Sequence, residues 1–203
     1  MNRLVAILVF PDVEILDFAG PFEVFGATDE ISDGGRFRVI TVGESTDTIV
    51  TRNGLRIMPD HTLADCPAAQ VLVIPGGFGT RRLETSPAVL SWIRERSRDA
   101  EITMSVCTGS IVLARAGLLD GLRATTHHTA FDRLRAAGPK VVVEEGARFT
   151  DNGRILTAAG IAAGIDCALH VVGRLLGPAT AAATARYMEH APAGAEKRGE
   201  RGT

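Results

Sequence analysis

The chain has 203 residues, 45% of them hydrophobic and 23% charged, and a net charge of −2. That length fits one domain burying roughly 70% of its unfolded surface. The charge balance leaves no electrostatic footprint for nucleic acid or an acidic membrane, and nothing approaches the ~18 consecutive apolar residues of a membrane span.

Residues 4–10 form a short apolar stretch ending in Phe10-Pro11-Asp12. No small-residue cleavage site follows, so the stretch reads as a strand and not a signal peptide. Further Val- and Ile-rich runs lie at 37–42, Val71–Ile74, Ile102–Val106 and 141–143. Continuous rather than alternating apolar character predicts strands buried on both faces, as in a parallel sheet. Segments with helical spacing fall between them at 87–98, 111–116 and 161–176, the last apolar nearly all round. Strand and helix alternate, which predicts an α/β domain over residues 1–190. Segments 55–58 and 148–156, the latter carrying Asp151-Asn152-Gly153, read as hairpin additions outside the parallel core. Residues 191–203 have no apolar anchors and read as a loose tail.

In open α/β sheets, ligands bind beyond the carboxyl ends of the strands. Three of these ends are distinctive. After Ile102–Val106 comes Cys107-Thr108-Gly109-Ser110, opening directly into a helix like a nucleophile elbow. A thiol at a helix N-terminus beside unpaired N–H groups is expected to fall from ~8.5 into the range ~3.5–7.5. After Val71–Ile74 comes Pro75-Gly76-Gly77. It reads either as a source of oxyanion N–H groups, Gly77 above all, or as a tight turn that needs positive φ. After 4–10 comes Asp17 among apolar neighbours. It reads equally as the N-cap of a helix that Pro21 helps to start or as a buried carboxyl suited to moving protons, with Glu23 its rival.

His127 and His128 offer a partner for the thiolate, one of the two being expected at the surface. Gly160 and Ile161 either turn N–H groups toward the pocket or merely pack. Cys66 and Cys167 read as bystander and core filler, while His61, His170 and His190 carry no constellation. No two cysteines have ligand spacing, so neither a metal nor a disulfide framework is expected, and a reduced, cytoplasmic chain is. Twenty-two glycines stand against eight Phe, one Tyr and one Trp. Gly20, Gly76, Gly77, Gly109, Gly160 and Gly164 fall at the turns just described, which predicts a compact site built largely from backbone.

Ile74-Pro75-Gly76-Gly77, Ser105-Val106-Cys107-Thr108-Gly109-Ser110, Ala116-Gly117-Leu118-Leu119-Asp120-Gly121 and Ala124-Thr125-Thr126-His127 together resemble the ThiJ/PfpI superfamily. Its members are flavodoxin-like cysteine proteins related to class I glutamine amidotransferases. The resemblance runs over about residues 4–190, and it implies a three-layer sandwich with a mainly parallel central sheet. The runs from Leu16 to Pro21 and from Gly160 to Asp166 look most like isocyanide hydratases, and nearly as much like the N-terminal domains of AraC-type regulators. The hydratase resemblance implies a homodimer without cofactor, in which the Cys107 thiolate attacks a small isocyanide. Asp17 would hold the thiolate and shuttle the proton, and the thioimidate would be hydrolysed to an N-substituted formamide. Thr108 and the amides near Gly77 and Ile161 would line the pocket. The chain departs from those hydratases at His128, where they carry Trp, at Ala159, where they carry Gly, and around Pro139 and Lys140. Two other readings are a small-molecule sensor or stress-response domain without efficient turnover, and a glyoxalase- or deglycase-like hydrolase. Asp17 in place of Glu counts against the last. No apolar pattern of a helix-turn-helix domain follows His190, so direct DNA binding is not expected.

Overall fold

A strand covered on both faces is predominantly apolar, and β6 (Val71–Ile74) and β7 (Ile102–Val106) are buried at every residue, Thr103 and Ser105 being the polar positions of β7. The computed structural model describes residues 2–191, so the expected tail lies, apart from Ala191, outside the described residues. In chain order, β1 (Arg3–Leu8), α1 (Ile15–Ile31) and β2 (Phe37–Gly43) lead to the short strands β3 (Ile49–Val50), β4 (Arg56–Ile57) and β5 (His61–Thr62). After β6 come α2 (Thr80–Leu83), α3 (Pro87–Asp99), β7, α4 (Gly109–Arg115), β8 (Arg123–Ala124) and α5 (Phe131–Ala137). The chain continues with β9 (Val142–Val143), β10 (Phe149–Asp151), β11 (Ile155–Ala158), α6 (Ala163–Leu176) and α7 (Pro178–Tyr187).

Seven strands form the central sheet in the order β10-β11-β7-β6-β1-β2-β5. Every neighbouring pair is parallel except β10 with β11. Helices α1, α6 and α7 pack together as one layer, while α4 packs with α2, α3 and α5 in the other. This is the expected three-layer α/β arrangement. Chain order reverses at β1, with β2 on one side and β6 on the other. The loops leaving β1 and β6 therefore part, opening a crevice at their carboxyl ends.

Three expectations change and one open alternative is decided. The 141–143 run does not enter the central sheet: Val142 and Val143 pair with β8 in a separate ribbon. Val142 is 53% exposed, because three apolar residues followed by Glu144 and Glu145 are too few to cross a buried sheet. The 148–156 hairpin exists, with Gly153 at φ 84° in its turn, but its second strand β11 lies inside the parallel sheet against β7. Thr157 hid that strand by interrupting its apolar run. Its hydroxyl is satisfied internally, by Thr150 Oγ1 at 2.8 Å and the Thr125 N–H at 2.8 Å. Asp17 is not an N-cap: Glu14 holds that position, α1 starts at Ile15, and Pro21 lies inside the helix. Pro21 simply lacks the N–H that would have reached the Asp17 carbonyl one turn earlier. Finally, α6 starts at Ala163, two residues later than expected, because Ile161 adopts φ 54° and breaks the helical path.

Candidate active site

Cys107 sits where β7 ends, with φ 56°. For a residue with a Cβ, that left-handed conformation costs about 1–3 kcal/mol and persists only where surroundings over-determine it. Here they do. The Cys107 N–H donates to the carbonyls of Ala158 (3.1 Å) and Ala159 (2.9 Å) at the end of β11. Its own carbonyl accepts from Thr126 Oγ1 (2.9 Å) and Ser110 Oγ (3.1 Å). The side chain is thus presented at the crevice, 7% exposed. Behind it, Gly109 touches β6 so closely that a Cβ would overlap the Ile74 carbonyl oxygen. Gly109→Ala is accordingly expected to destabilise the protein by about 3 kcal/mol or more, read as a fall in the urea midpoint.

Asp17, on the first turn of α1, is fully buried. Its Oδ2 accepts the Gly76 N–H at 3.0 Å, while Oδ1 has no hydrogen-bond partner of sound geometry. Burial pushes the carboxyl up to about 7 against the pull of the Gly76 N–H, and the charge of nearby Glu14 raises it further. The Cys107 thiol, one of the groups that act on this carboxyl, is pushed up to about 12 by burial and then by the Asp17 charge, with the Thr108 N–H opposing. The expected depressed thiol is therefore not found. Helix α4 has only seven residues, and its N-terminal amides do not offset desolvation and a neighbouring carboxylate. A buried pair of acids resists holding two negative charges and titrates as a unit, keeping a proton near the sulfur at neutral pH.

The amides are deployed differently from expectation as well. Gly77 does adopt positive φ, 128°, but its N–H donates to Thr108 Oγ1 at 3.0 Å. The Gly76 N–H is committed to Asp17. The donor that faces the sulfur is the Thr108 N–H. Ile161, also left-handed, turns its N–H toward Asp17. Gly160 keeps its role for a steric reason: a Cβ there would collide with the His127 ring. His127 lines the crevice with Nδ1 2.8 Å from Thr129 Oγ1 and its ring centroid 4.4 Å from that of His128. Burial lowers its proton affinity, so it is neutral at pH 7 and supplies no imidazolium to the thiol. His128 is exposed, as one of the pair was expected to be, and Glu23 is exposed and away from the site.

Cys107, Thr108, Gly77, His127 and Ile161 line one cleft of about 650 Å³, and Asp17 lies behind its floor. Glu14, Arg52, Phe78, Arg81 and Arg133 complete the mouth. These five were not anticipated, because they come from three separate loops and two helices and share no spacing. Cys66 and Cys167 are buried elsewhere. His170 and His190 bond to Asp151 and Asp166 at 2.8 Å each, which gives them structural roles. Among the described residues, no cluster of His, Cys, Asp and Glu could hold a metal ion, and no helix is long and apolar enough to cross a membrane.

The isonitrile hydratase of Pseudomonas putida is 36% identical over 95% of this chain and 81% of its own length. The transcriptional regulator CdhR of Pseudomonas aeruginosa is 31% identical over 84% of the chain, which spans only half of that protein. A crystal structure of a ThiJ/PfpI family protein from Pseudomonas syringae superposes with a TM-score of 0.85 at 31% identity, over 98% of this chain and 80% of that one. Drosophila melanogaster DJ-1beta superposes at 0.82 with 20% identity over 94% and 100%, a likeness of fold. The DJ-1/PfpI family pattern matches residues 3–174, from the first strand through the last residues of the site, and the chain belongs to that family.

Proposed function

We propose that the protein is a cysteine-dependent hydratase that converts a small isocyanide to an N-substituted formamide. The observation that carries the reading is the pairing of a strained, cleft-facing Cys107 with a buried Asp17 whose carboxyl is poised near neutrality. The 36% identity to an isonitrile hydratase supports it.

The chemistry needs one nucleophile and one proton carrier. Cys107 sulfur bonds to the isocyanide carbon as its proton passes through Asp17 to that same carbon, giving an S-linked thioimidate. Water then adds to the thioimidate carbon, with Asp17 taking a proton from the water and passing it to the nitrogen. Collapse breaks the C–S bond as the remaining hydroxyl proton passes through Asp17 to sulfur, and releases the formamide. Isocyanide plus water equals formamide, so nothing else is consumed. Thr108 N–H steadies the sulfur when it carries negative charge, and this reading gives it the part expected of Gly77. The reading keeps the expected homodimer, for which sedimentation in solution is the test.

Incubation with a neutral aryl isocyanide should yield the aryl formamide at a rate set by protein concentration. A rate no greater than that of Cys107→Ala would overturn the reading. Ligand binding without turnover would then favour the second reading, a sensing domain, which rests on the likeness to the regulator CdhR.

A further inference from the structure

The chain carries a net charge of −2, yet three arginines converge on the mouth of the cleft. Two are answered. Arg133 Nη2 bonds to Glu84 at 2.5 Å, and Arg52 faces Glu14 at 4.0 Å. Next along the chain but outside the cleft, Arg82 pairs with Glu44. Arg81 has no carboxylate partner among the described residues. Its guanidinium lies instead over the Phe78 ring, 4.0 Å from the centroid, and Arg52 stands 5.5 Å from that centroid. Phe78 is 54% exposed, so its ring presents an open face at the mouth of the cleft.

A guanidinium laid on an aromatic face keeps its N–H edge free and its orientation restrained, ready for a planar anion. Two guanidiniums on one ring also repel each other, a cost that a bound anion relieves. These cations do not serve to ionise the nucleophile, because the main influences on Cys107 are burial, Asp17 and Thr108. They serve a part of the ligand that lies away from the sulfur. We propose that the substrate is anionic, a carboxylate-bearing electrophile whose carboxylate is held by Arg81 beside Phe78, with Arg52 assisting, while its reactive carbon meets Cys107. This inference rests on Cys107 being the nucleophile in this cleft, and it narrows the substrate to a carboxylate-bearing isocyanide.

Two measurements separate the inference from the hydratase reading. The first alkylates Cys107 with iodoacetate and with iodoacetamide, followed at that residue by mass spectrometry, and needs no turnover. The iodoacetate-to-iodoacetamide rate ratio should fall about tenfold in Arg81→Gln and fall with added salt in the wild type. Arg82→Gln, whose arginine is engaged by Glu44, should leave the ratio unchanged. The second compares turnover of para-isocyanobenzoate and its methyl ester, where the preference for the acid should likewise drop about tenfold in Arg81→Gln. A shifted alkylation ratio with neither isocyanide turned over would sustain the anion site and sink the hydratase. An unshifted ratio in Arg81→Gln, or turnover indifferent to the carboxylate, would overturn the anion site and leave the hydratase standing.

Discussion

Cys107→Ala is expected to bring formamide formation down to the uncatalysed rate while the folded structure survives. Removal of a nucleophile leaves only binding and orientation, so the loss should exceed about a thousandfold. Stability should barely change, because alanine keeps the same backbone requirement and the sulfur sits at the cleft rather than in the deep core. A companion variant makes the strain visible. Cys107→Gly relieves a side chain held at φ 56°, so it should be inactive yet about 1 kcal/mol more stable than the wild type. Thermal or urea unfolding beside a turnover assay reads both. If glycine destabilised the protein as alanine does not, the left-handed turn would be an ordinary structural feature and not a conformation stored for the chemistry.

Asp17→Asn is the second large effect, and it moves two observables in opposite directions. Turnover should fall about a hundred- to ten-thousandfold, the usual contribution of a positioned proton carrier. The thiol should become easier to ionise, because one of the influences raising Cys107 toward about 12 is the Asp17 charge. The midpoint of a pH profile for Cys107 alkylation should therefore move down while activity is lost. Asparagine retains an oxygen for the Gly76 N–H, so the local hydrogen bond is conserved. A purely structural role for Asp17 predicts no such opposition.

The same group dictates a pH dependence of stability. Its folded value, about 7, lies above the ordinary 3.8, so the native state binds the proton more tightly than the unfolded chain. Between about pH 4 and pH 7 the native state carries the extra proton, and stability falls as pH rises through that window. The part of the stability present below the lower value and gone above the upper one is about 4 kcal/mol. In Asp17→Asn that slope should vanish, and unfolding free energies measured from pH 4 to pH 8 would show it.

Much of the fold was legible because its central strands are two-face-buried, and such burial favours the continuous apolar runs within β1 and β6 and the mainly apolar β7. The cysteine was legible because a strand that stops at Val106 and runs almost directly into a helix places the intervening residue at a carboxyl strand end, where ligands gather in open α/β sheets. β11 was harder to see, since Thr150, Thr157 and the Thr125 amide satisfy one another only once three segments have met. Asp17 read equally as a helix cap and as a buried acid because both use the same residue. Only the start of α1 at Ile15 and the reach of Oδ2 to Gly76 separate the two.

By itself the sequence determined the alternation of strand and helix, the strand ends at which a site is to be sought, and Cys107 as the candidate nucleophile, because periodicity and short turns are local properties of a chain. Tertiary structure alone decided the protonation logic and the charge of the cleft. The thiol is raised, not lowered, because desolvation and the Asp17 carboxylate act through space across 90 residues of chain. Gly77 donates to Thr108 because β6 and β7 lie side by side in the sheet. Arg52, Phe78 and Arg81 become one mouth only where separate loops converge, since electrostatics depends on distance in space and not on distance along the chain.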